Sequence, residues 1–300
     1  MEKVKKIDIH AHATAFPQYH PKAVQDFVCA EDVIEVYDKL GVEKGILLPL
    51  TSAEGMVTPF PTEACIYICD QYSDRFDWFC NVDPRARNNT PESDLSALIK
   101  EYKEMGAKGV GEITAMLYAD DPKMENLFRS CAENDMPVII HIAPNFNRGY
   151  GIVDEIGLPR ITKILKKYPN LKLIGHSMSF WSEIDKNNND EIRNKYPEGK
   201  VTEGRLCEML REFPNLYCDL SAGSGANALL RDKDFAIKFM EEFSDRIMYG
   251  IDLCMNPKKI EPTKQYKLAE FFDEILEDGL LSEETYRKIM RENAIRILKL

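Results

Sequence analysis

Eight short apolar runs recur along the chain at intervals of roughly 30 to 40 residues, with amphipathic stretches between them. The runs read KIDIHAH, KGILLPL, DWFCNVDP, AKGVGEI, MPVIIHI, LKLIGHS, NLYCDLS and RIMYGID. Strands of this kind, when joined by helices, form a parallel sheet that is covered on both faces. Eight such units predict an α/β fold, a (β/α)8 TIM barrel, with residues 1–300 as one domain. An open nucleotide-binding sheet is disfavoured because no glycine-rich phosphate loop follows the first run.

The stretches between the runs have the pattern of amphipathic helices. In AEDVIEVYDKLG, for example, Val33, Val36, Tyr37 and Leu40 share one face before Gly41 ends the helix. Similar helices are expected in PESDLSALIKEYKEMG, KMENLFRSCAEND, PRITKILKKYPN, GRLCEMLREFPN and KDFAIKFMEEFSD. The polar stretch from 178 to 203 is too long for an ordinary connection, so we expect either a lid over the site or a solvated surface excursion.

Charge and hydropathy restrict the partners of the chain. With 50 acidic and 39 basic residues the formal net charge is -11, which disfavours nucleic acid and anionic membranes. We expect a cytoplasmic protein, because the N-terminus lacks the apolar stretch of a signal peptide and no transmembrane run is present. A homodimer is compatible with the sequence. The eight cysteines are scattered, and we expect most to be buried thiols.

Four of the five histidines fall near the ends of predicted strands, where a barrel carries its catalytic groups. His10 and His12 are two apart on the first strand, so both side chains can enter one cavity. His141 and His176 follow the fifth and sixth runs, and Asp252 ends the eighth. Three imidazoles and a carboxylate suit Zn²⁺ or a similar divalent ion, which leaves one histidine for proton transfer.

Two further acids end strands. Glu112, after the fourth run, could be a metal ligand that bridges two ions, a partner that orients a histidine, or a buried acid paired with a base. Asp219, after the seventh run, is expected to be a structural acid hydrogen-bonded within its loop, which contains Ser221 and a turn at Gly223 to Gly225.

Substrate-binding candidates come from the loops that follow the strands. They are Arg148, Tyr150, Trp181 and Arg231: an arginine could hold a substrate carboxylate, and aromatic rings could flank an apolar body. His20, in QYHPK, is expected to be an exposed residue at the rim.

The ordered set of HxH, His141, His176 and Asp252 resembles the amidohydrolase superfamily, in particular the amidohydrolase-related branch that includes aminocarboxymuconate semialdehyde decarboxylase. The stretches NVDPR, CDLSAGSGANAL and ENAIRILKL are also similar to that branch. The resemblance implies that His10, His12, His141 and Asp252 bind the ion and that His176 is the general base or activates water. Many members carry a carbamylated lysine after the fourth strand, and Glu112 stands at that place here. A glutamate in a GEI stretch resembles the TatD-like deoxyribonucleases instead, so a second ion is an open alternative to one.

These patterns predict metal-assisted hydrolysis of a small amide, lactone or ester, in which Asp252 or His176 takes a proton from water. Non-oxidative decarboxylation of a small carboxylic acid at the same site is the alternative. A non-catalytic barrel that binds a metabolite is a third, disfavoured because buried imidazoles are costly to keep together. The nuclease interpretation is disfavoured by the negative charge.

Overall fold

A computed structural model of the chain describes residues 3–19, 26–54, 60–258 and 263–300. Within these residues, nine strands pair in parallel. They are β1 (Lys6–Ala11), β2 (Val42–Leu47), β3 (Phe76–Trp78), β4 (Val110–Ile113), β5 (Val138–Ala143), β6 (Ile152–Val153), β7 (Leu173–His176), β8 (Leu216–Asp219) and β9 (Ile247–Met248). Eight coincide with the predicted runs, and the short β6 is an addition beside β5. His20 lies outside the described residues.

The strands close into a barrel. Strands β1, β2 and β3 are neighbours in that order, and β4, β5, β7, β8 and β9 form a second series. A parallel bridge between Cys80 and Val110 joins the two series on one side. On the other side, the Ile9 amide donates to the Tyr249 carbonyl (3.1 Å) and the Asp252 amide to the His10 carbonyl (2.8 Å). The predicted (β/α)8 barrel is confirmed.

Helices occupy the six predicted amphipathic stretches, and further helices lie outside them. Their bounds are α1 (Ala30–Leu40), α2 (Thr62–Gln71), α3 (Leu95–Glu104), α4 (Pro122–Glu133), α5 (Pro159–Lys167), α6 (Met178–Trp181), α7 (Arg205–Glu212), α8 (Ala222–Leu230), α9 (Lys233–Glu242), α10 (Thr263–Glu277), α11 (Glu283–Arg287) and α12 (Asn293–Leu298). In α1 the predicted face, Val33, Val36 and Tyr37, is buried, and Gly41 ends the helix with a φ of 69°. No helix among the described residues is long and apolar enough to cross a membrane.

Two connections differ from the sequence interpretation. The expected turn at Gly223 to Gly225 is wrong, because these glycines lie in the first turns of α8, whose Ala226 and Leu229 are buried. The 178–203 stretch does not begin as a solvated loop: α6 and a 3-10 turn at Ser182–Ile184 follow β7 directly, and Phe180, Trp181 and Ile184 are buried. Their apolar burial holds this part of the chain against the barrel.

The apolar side chains form two clusters, one inside the barrel and one between the strands and the helices. Inside, Ile7, Ile9, Ile139 and Ile174 pack together with Ile297 and Leu298 of α12. The Asn293 side chain donates to the Ile247 carbonyl at the start of β9 (2.8 Å), so α12 covers the end of the barrel where the strands begin. The opposite end, where the strands finish, is left for polar groups.

Irregularities in two strands direct polar side chains into that end. Along β1, Asp8 and Ala11 pair with residues only two apart in β2, so one extra residue lies between them. This bulge lets His10 face inward although Ile9 does so too. An equivalent shift lies in β4, where the side chains of Val110 and Ile113 pack in the outer cluster while Glu112 reaches the inward-facing histidines.

Candidate metal centre

Four buried or nearly buried ligand atoms converge at the end of the barrel where the strands finish. The Nε2 atoms of His10 and His12 are 3.2 Å apart. Glu112 Oε2 lies 3.5 Å from the first of them and 3.6 Å from the second. Asp252 Oδ1 lies 3.7 Å and 3.5 Å from the same two atoms.

The spacing of these atoms fits a divalent ion. Ligands about 2.0–2.2 Å from an ion in tetrahedral geometry are separated from one another by about 3.3–3.6 Å. The measured contacts between the two imidazole nitrogens and the two carboxylate oxygens, 3.2 to 3.7 Å, fall close to this range. His10, His12 and Glu112 are therefore spaced to hold one divalent ion, and Asp252 Oδ1 lies at a similar distance from the same two nitrogens.

The second ring nitrogen of each histidine is fixed by a neighbour. His10 Nδ1 donates to Asp219 Oδ2 (2.7 Å), and His12 Nδ1 donates to the Leu48 carbonyl (2.9 Å). With Nδ1 carrying the proton, the lone pair of each Nε2 is free to bind an ion. The residues around the centre therefore set both the tautomer and the orientation of these ligands.

His176 shares the same carboxylate but points to a different side of the centre. Its Nδ1 is 3.0 Å from Asp219 Oδ2 and 3.0 Å from Ser221 Oγ. Its Nε2 faces Asp252 Oδ2 at 3.7 Å and Glu112 Oε1 at 3.8 Å. Asp252 thus presents one oxygen to His10 and the other to His176, an arrangement suited to moving a proton from one side to the other.

His141 lies on the far side of Glu112 from the HxH pair. Its Nδ1 donates to Glu112 Oε1 (2.6 Å), and its ring lies 4.3 Å from that of Tyr150, between centroids. Glu112, His141 and His176 form a second group of ligand atoms that could hold an ion, and it shares Glu112 with the first group. The two oxygens of Glu112 therefore face two different sets of histidines.

Burial and charge give these groups unusual proton affinities. Burial acts against the charged form of His10, but Asp252, Asp219 and Glu112 raise the pKa of its imidazole well above the usual value. Burial also acts to raise the pKa of Glu112, yet contacts with His10, His12 and His141 hold it well below its usual value. Burial lowers the pKa of His141. In the absence of an ion, a proton on His10 supplies positive charge among the acids.

Asp219 agrees with its predicted structural role, and its contacts extend that role to two histidines. Besides His10 and His176, its Oδ2 accepts from the Ser221 hydroxyl (2.6 Å). Gly250 leaves room for this carboxylate, since a Cβ there would lie 2.5 Å from Asp219 Oδ1. Trp181 Nε1 donates to the Asp219 carbonyl (2.9 Å).

The four predicted substrate-binding residues are not all brought together: Trp181 and Arg231 line one small cavity, which Tyr150 and Arg148 do not reach. The Tyr150 ring lies against that of His141, with the ring planes inclined by 33°, and Tyr150 is 38% exposed. Trp181 is buried beside Asp219. The Arg231 guanidinium is in a buried ion pair with Asp185 (2.8 Å), and Arg148 lines an open groove of about 1190 Å³ whose lining residues lie outside the histidine cluster.

Sequence reasoning missed one side chain that contacts the centre. The Cys254 thiol donates to Asp252 Oδ1 (2.9 Å), a contact that the two-residue spacing in DLC could have suggested. Tyr196, from the polar 178–203 stretch, raises the pKa of Tyr150 in addition to the larger effects of burial, Glu112 and Asp252. No sequence signal distinguishes this tyrosine, because it lies in a segment without regular periodicity.

Comparison with known proteins agrees with the architecture. A TIM-barrel protein from Bordetella bronchiseptica is 17% identical, with a TM-score of 0.69 and 99% of each chain covered. The 5-carboxyvanillate decarboxylase of Novosphingobium aromaticivorans, solved with manganese, is 20% identical, with a TM-score of 0.61 over 98% of this chain and 96% of the other. A probable 2-pyrone-4,6-dicarboxylic acid hydrolase from Acinetobacter baumannii is 15% identical, with a TM-score of 0.59 over 99% and 100%.

At these identities the solved structures establish the fold. None of the curated protein sequences matches the chain. The amidohydrolase family model Amidohydro_2 matches residues 7–300, a span that contains every residue of the metal centre described above. The chain therefore belongs to the amidohydrolase family.

Proposed function

We propose that this protein is a metal-dependent hydrolase of a small lactone, ester or amide. The observation that carries the proposal is the position of Asp252, whose Oδ1 faces the Nε2 atoms of His10 and His12 while its Oδ2 faces His176 Nε2 at 3.7 Å. A single carboxylate can thus join the ion-binding side of the centre to a histidine placed for proton transfer.

A divalent ion bound there supplies Lewis acidity, which polarises a substrate carbonyl and makes water more acidic. His10, His12, Glu112 and Asp252 would hold it, and Zn²⁺ is the ion we propose because nitrogen and carboxylate ligands at this spacing suit it. Asp252 Oδ2 or His176 Nε2 accepts the proton of the attacking water. His176 then returns a proton to the leaving group, and Asp219 and Ser221 keep its ring in position.

The balance of charge near the centre supports hydrolysis. Glu112, Asp219 and Asp252 lie within it, and among the described residues no arginine or lysine forms an ion pair with any of the three. Acids close to a bound ion favour taking a proton from water.

Decarboxylation of a small carboxylic acid is the second candidate. It is supported by the fold shared with 5-carboxyvanillate decarboxylase and with the 2,6-dihydroxybenzoate decarboxylase of Rhizobium. The same His176 could deliver a proton to a substrate carbon, and the ion itself could hold the carboxylate.

Product analysis on metal-loaded protein separates the two. Protein loaded with Zn²⁺ is incubated with small lactones, esters and amides and, separately, with small aromatic and dienoic acids. We expect hydrolysis that stops on chelation, returns on adding the ion, and is lost in His176→Asn while bound metal is kept. CO₂ release without hydrolysis would replace the first candidate by the second, and a chain that binds no ion would exclude both.

A further inference from the structure

Cys254 is held beside the metal centre by hydrogen bonds of the main chain. Its carbonyl accepts from the Val28 amide (3.2 Å), and two residues further on the Asn256 amide donates to the Asp26 carbonyl (2.8 Å). The Asn256 side chain also donates to Asp32 Oδ2 (3.0 Å). The backbone of Cys254 is therefore fixed against the segment that precedes α1.

The Cys254 thiol contacts the oxygen of Asp252 that faces the HxH pair. Its Sγ lies 2.9 Å from Asp252 Oδ1, and this same oxygen lies 3.7 Å and 3.5 Å from the Nε2 atoms of His10 and His12. The other oxygen, Oδ2, faces His176 Nε2 at 3.7 Å. The thiol therefore stands on the side of Asp252 where an ion would bind, and not on the side of the histidine placed for proton transfer.

His12, Asp252 and Cys254 form a group of possible ligands in their own right. One ligand atom from each residue lies within 4.8 Å of the other two. In a tetrahedral zinc site, with Zn–S about 2.3 Å and Zn–N about 2.0–2.1 Å, the sulfur and nitrogen ligands are about 3.5 Å apart. The three atoms are thus close enough for one ion to reach them all, and the group shares His12 with that of His10 and Glu112.

An ion at this place changes the chemistry of the thiol. In the metal-free protein the S–H proton occupies a lone pair of Asp252 Oδ1 that an ion would otherwise use. A thiol that coordinates a divalent cation loses its proton outright, because the charge of the cation favours the thiolate. The S–H bond breaks, the proton passes to solvent, and a lone pair of the sulfur forms the bond to the ion.

We propose that the Cys254 thiolate is a ligand of the ion and makes the centre selective for Zn²⁺ over Mn²⁺. The inference deepens the proposed function and rests on it, because that function requires the ion, and it holds for either of the two reactions. Thiolate ligands favour zinc, whereas carboxylate and water oxygens suit manganese. Imidazoles and carboxylates without the sulfur would distinguish the two ions less sharply.

Absorption spectra of the Co²⁺-loaded full chain test for a metal–sulfur bond, because thiolate bound to Co²⁺ gives a charge-transfer band in the near ultraviolet that nitrogen and oxygen ligands do not give. The wild type is compared with Cys254→Ser, Cys254→Ala and the control Cys29→Ser. Serine keeps a hydrogen-bond donor for Asp252 but lacks the sulfur. Cys29 is a matched control because its thiol is also half-buried and also donates to an aspartate, Asp32 Oδ2 (3.0 Å).

We expect the band in the wild type and in Cys29→Ser, and its loss in both Cys254 variants. The affinity for Zn²⁺, measured by competition with a chromophoric chelator, should fall at least about tenfold in Cys254→Ser, since a partner that only orients a ligand is already worth about 10–100-fold. The affinity for Mn²⁺, measured from free Mn²⁺ by electron paramagnetic resonance, should change less than about threefold. A thiol that only donated a hydrogen bond to Asp252 would affect both ions alike.

Three results would overturn the inference: a Co²⁺-loaded wild type without the band, a band that persists in Cys254→Ser, or affinities for Zn²⁺ and Mn²⁺ that change in equal proportion in that variant. Each leaves the proposed function intact, because the ion is still bound. A wild type that binds none of the three ions would refute the inference and the function together. Circular dichroism verifies the fold of each variant, and the wild-type spectrum is decisive even where a variant does not fold.

Discussion

Replacing Asp219 by asparagine should weaken metal binding although Asp219 is not a ligand in the set that best fits the ion. Its Oδ2 lies 2.7 Å from His10 Nδ1 and 3.0 Å from His176 Nδ1. An amide keeps the size of the side chain but cannot offer an anionic acceptor to two rings. The His10 ring then loses its fixed tautomer and part of its basicity.

The expected loss follows from these contacts. Removing a partner that orients a metal-bound histidine typically costs about 10–100-fold in affinity. Because His10 is oriented by this carboxylate and the charge of Asp219 also acts on His176, we expect the upper end, about 100-fold, equivalent to about 2.7 kcal/mol.

Competition with a chromophoric chelator measures the affinity for Zn²⁺, and urea unfolding of the metal-free proteins verifies that the variant is folded. Ser221→Ala is the matched control: it removes the hydroxyl that donates to Asp219 Oδ2 (2.6 Å) but keeps the carboxylate. We expect it to lose less than about tenfold. A folded Asp219→Asn variant with wild-type affinity would refute the argument that this carboxylate orients the ligands.

Other predictions address separate parts of the site. His176→Asn should keep the bound ion while kcat falls by about 10²–10⁴-fold, as for the loss of a general base, and equal loss of metal would contradict its separate role. Elemental analysis counts the ions bound by the wild type and by Glu112→Gln. If the Glu112 carboxylate bridges two ions, the wild type should bind two per chain and the variant one or none. A wild type that saturates at one ion would limit metal binding to the group that contains His10 and His12. Because the pKa of His10 is raised, protons compete with the ion, so affinity should rise with pH above neutrality and fall on acidification, as chelator titrations at several pH values would show. Arg231→Met should lower the free energy of unfolding by about 3–5 kcal/mol, because it leaves Asp185 buried without its partner; urea unfolding measures this, and an unchanged stability with a raised KM would instead support the substrate role predicted from sequence.

The barrel could be predicted from the sequence because its strands and helices are encoded locally. Each parallel strand is buried on both faces and appears as an apolar run, and each covering helix appears as a 3.6-residue period such as Val33, Val36 and Tyr37. The glycines of α8 show where prediction from local sequence fails. Gly223 and Gly225 suggest a turn, but packing of the helix against the barrel overrides their low helix propensity.

The sequence could predict the location of the site, because the ends of all strands meet on one side of a barrel. Position along the chain was enough to place His10, His12, His176 and Asp252 at one end, but not to orient them. Along β1, strict alternation would have turned His10 away from the face of Ile9, and the bulge that brings both inward follows from pairing with β2.

What the sequence by itself determined is the architecture and a set of candidate ligands for an ion at one end of it. Only the tertiary structure decided which atoms face one another: Asp219 fixes His10, Glu112 lies between two groups of histidines, and Arg231 is occupied by Asp185. The physical reason is the sequence separation between the residues that interact. Burial and helical periodicity act between residues close in sequence, whereas these contacts join side chains from strands and segments that are far apart along the chain.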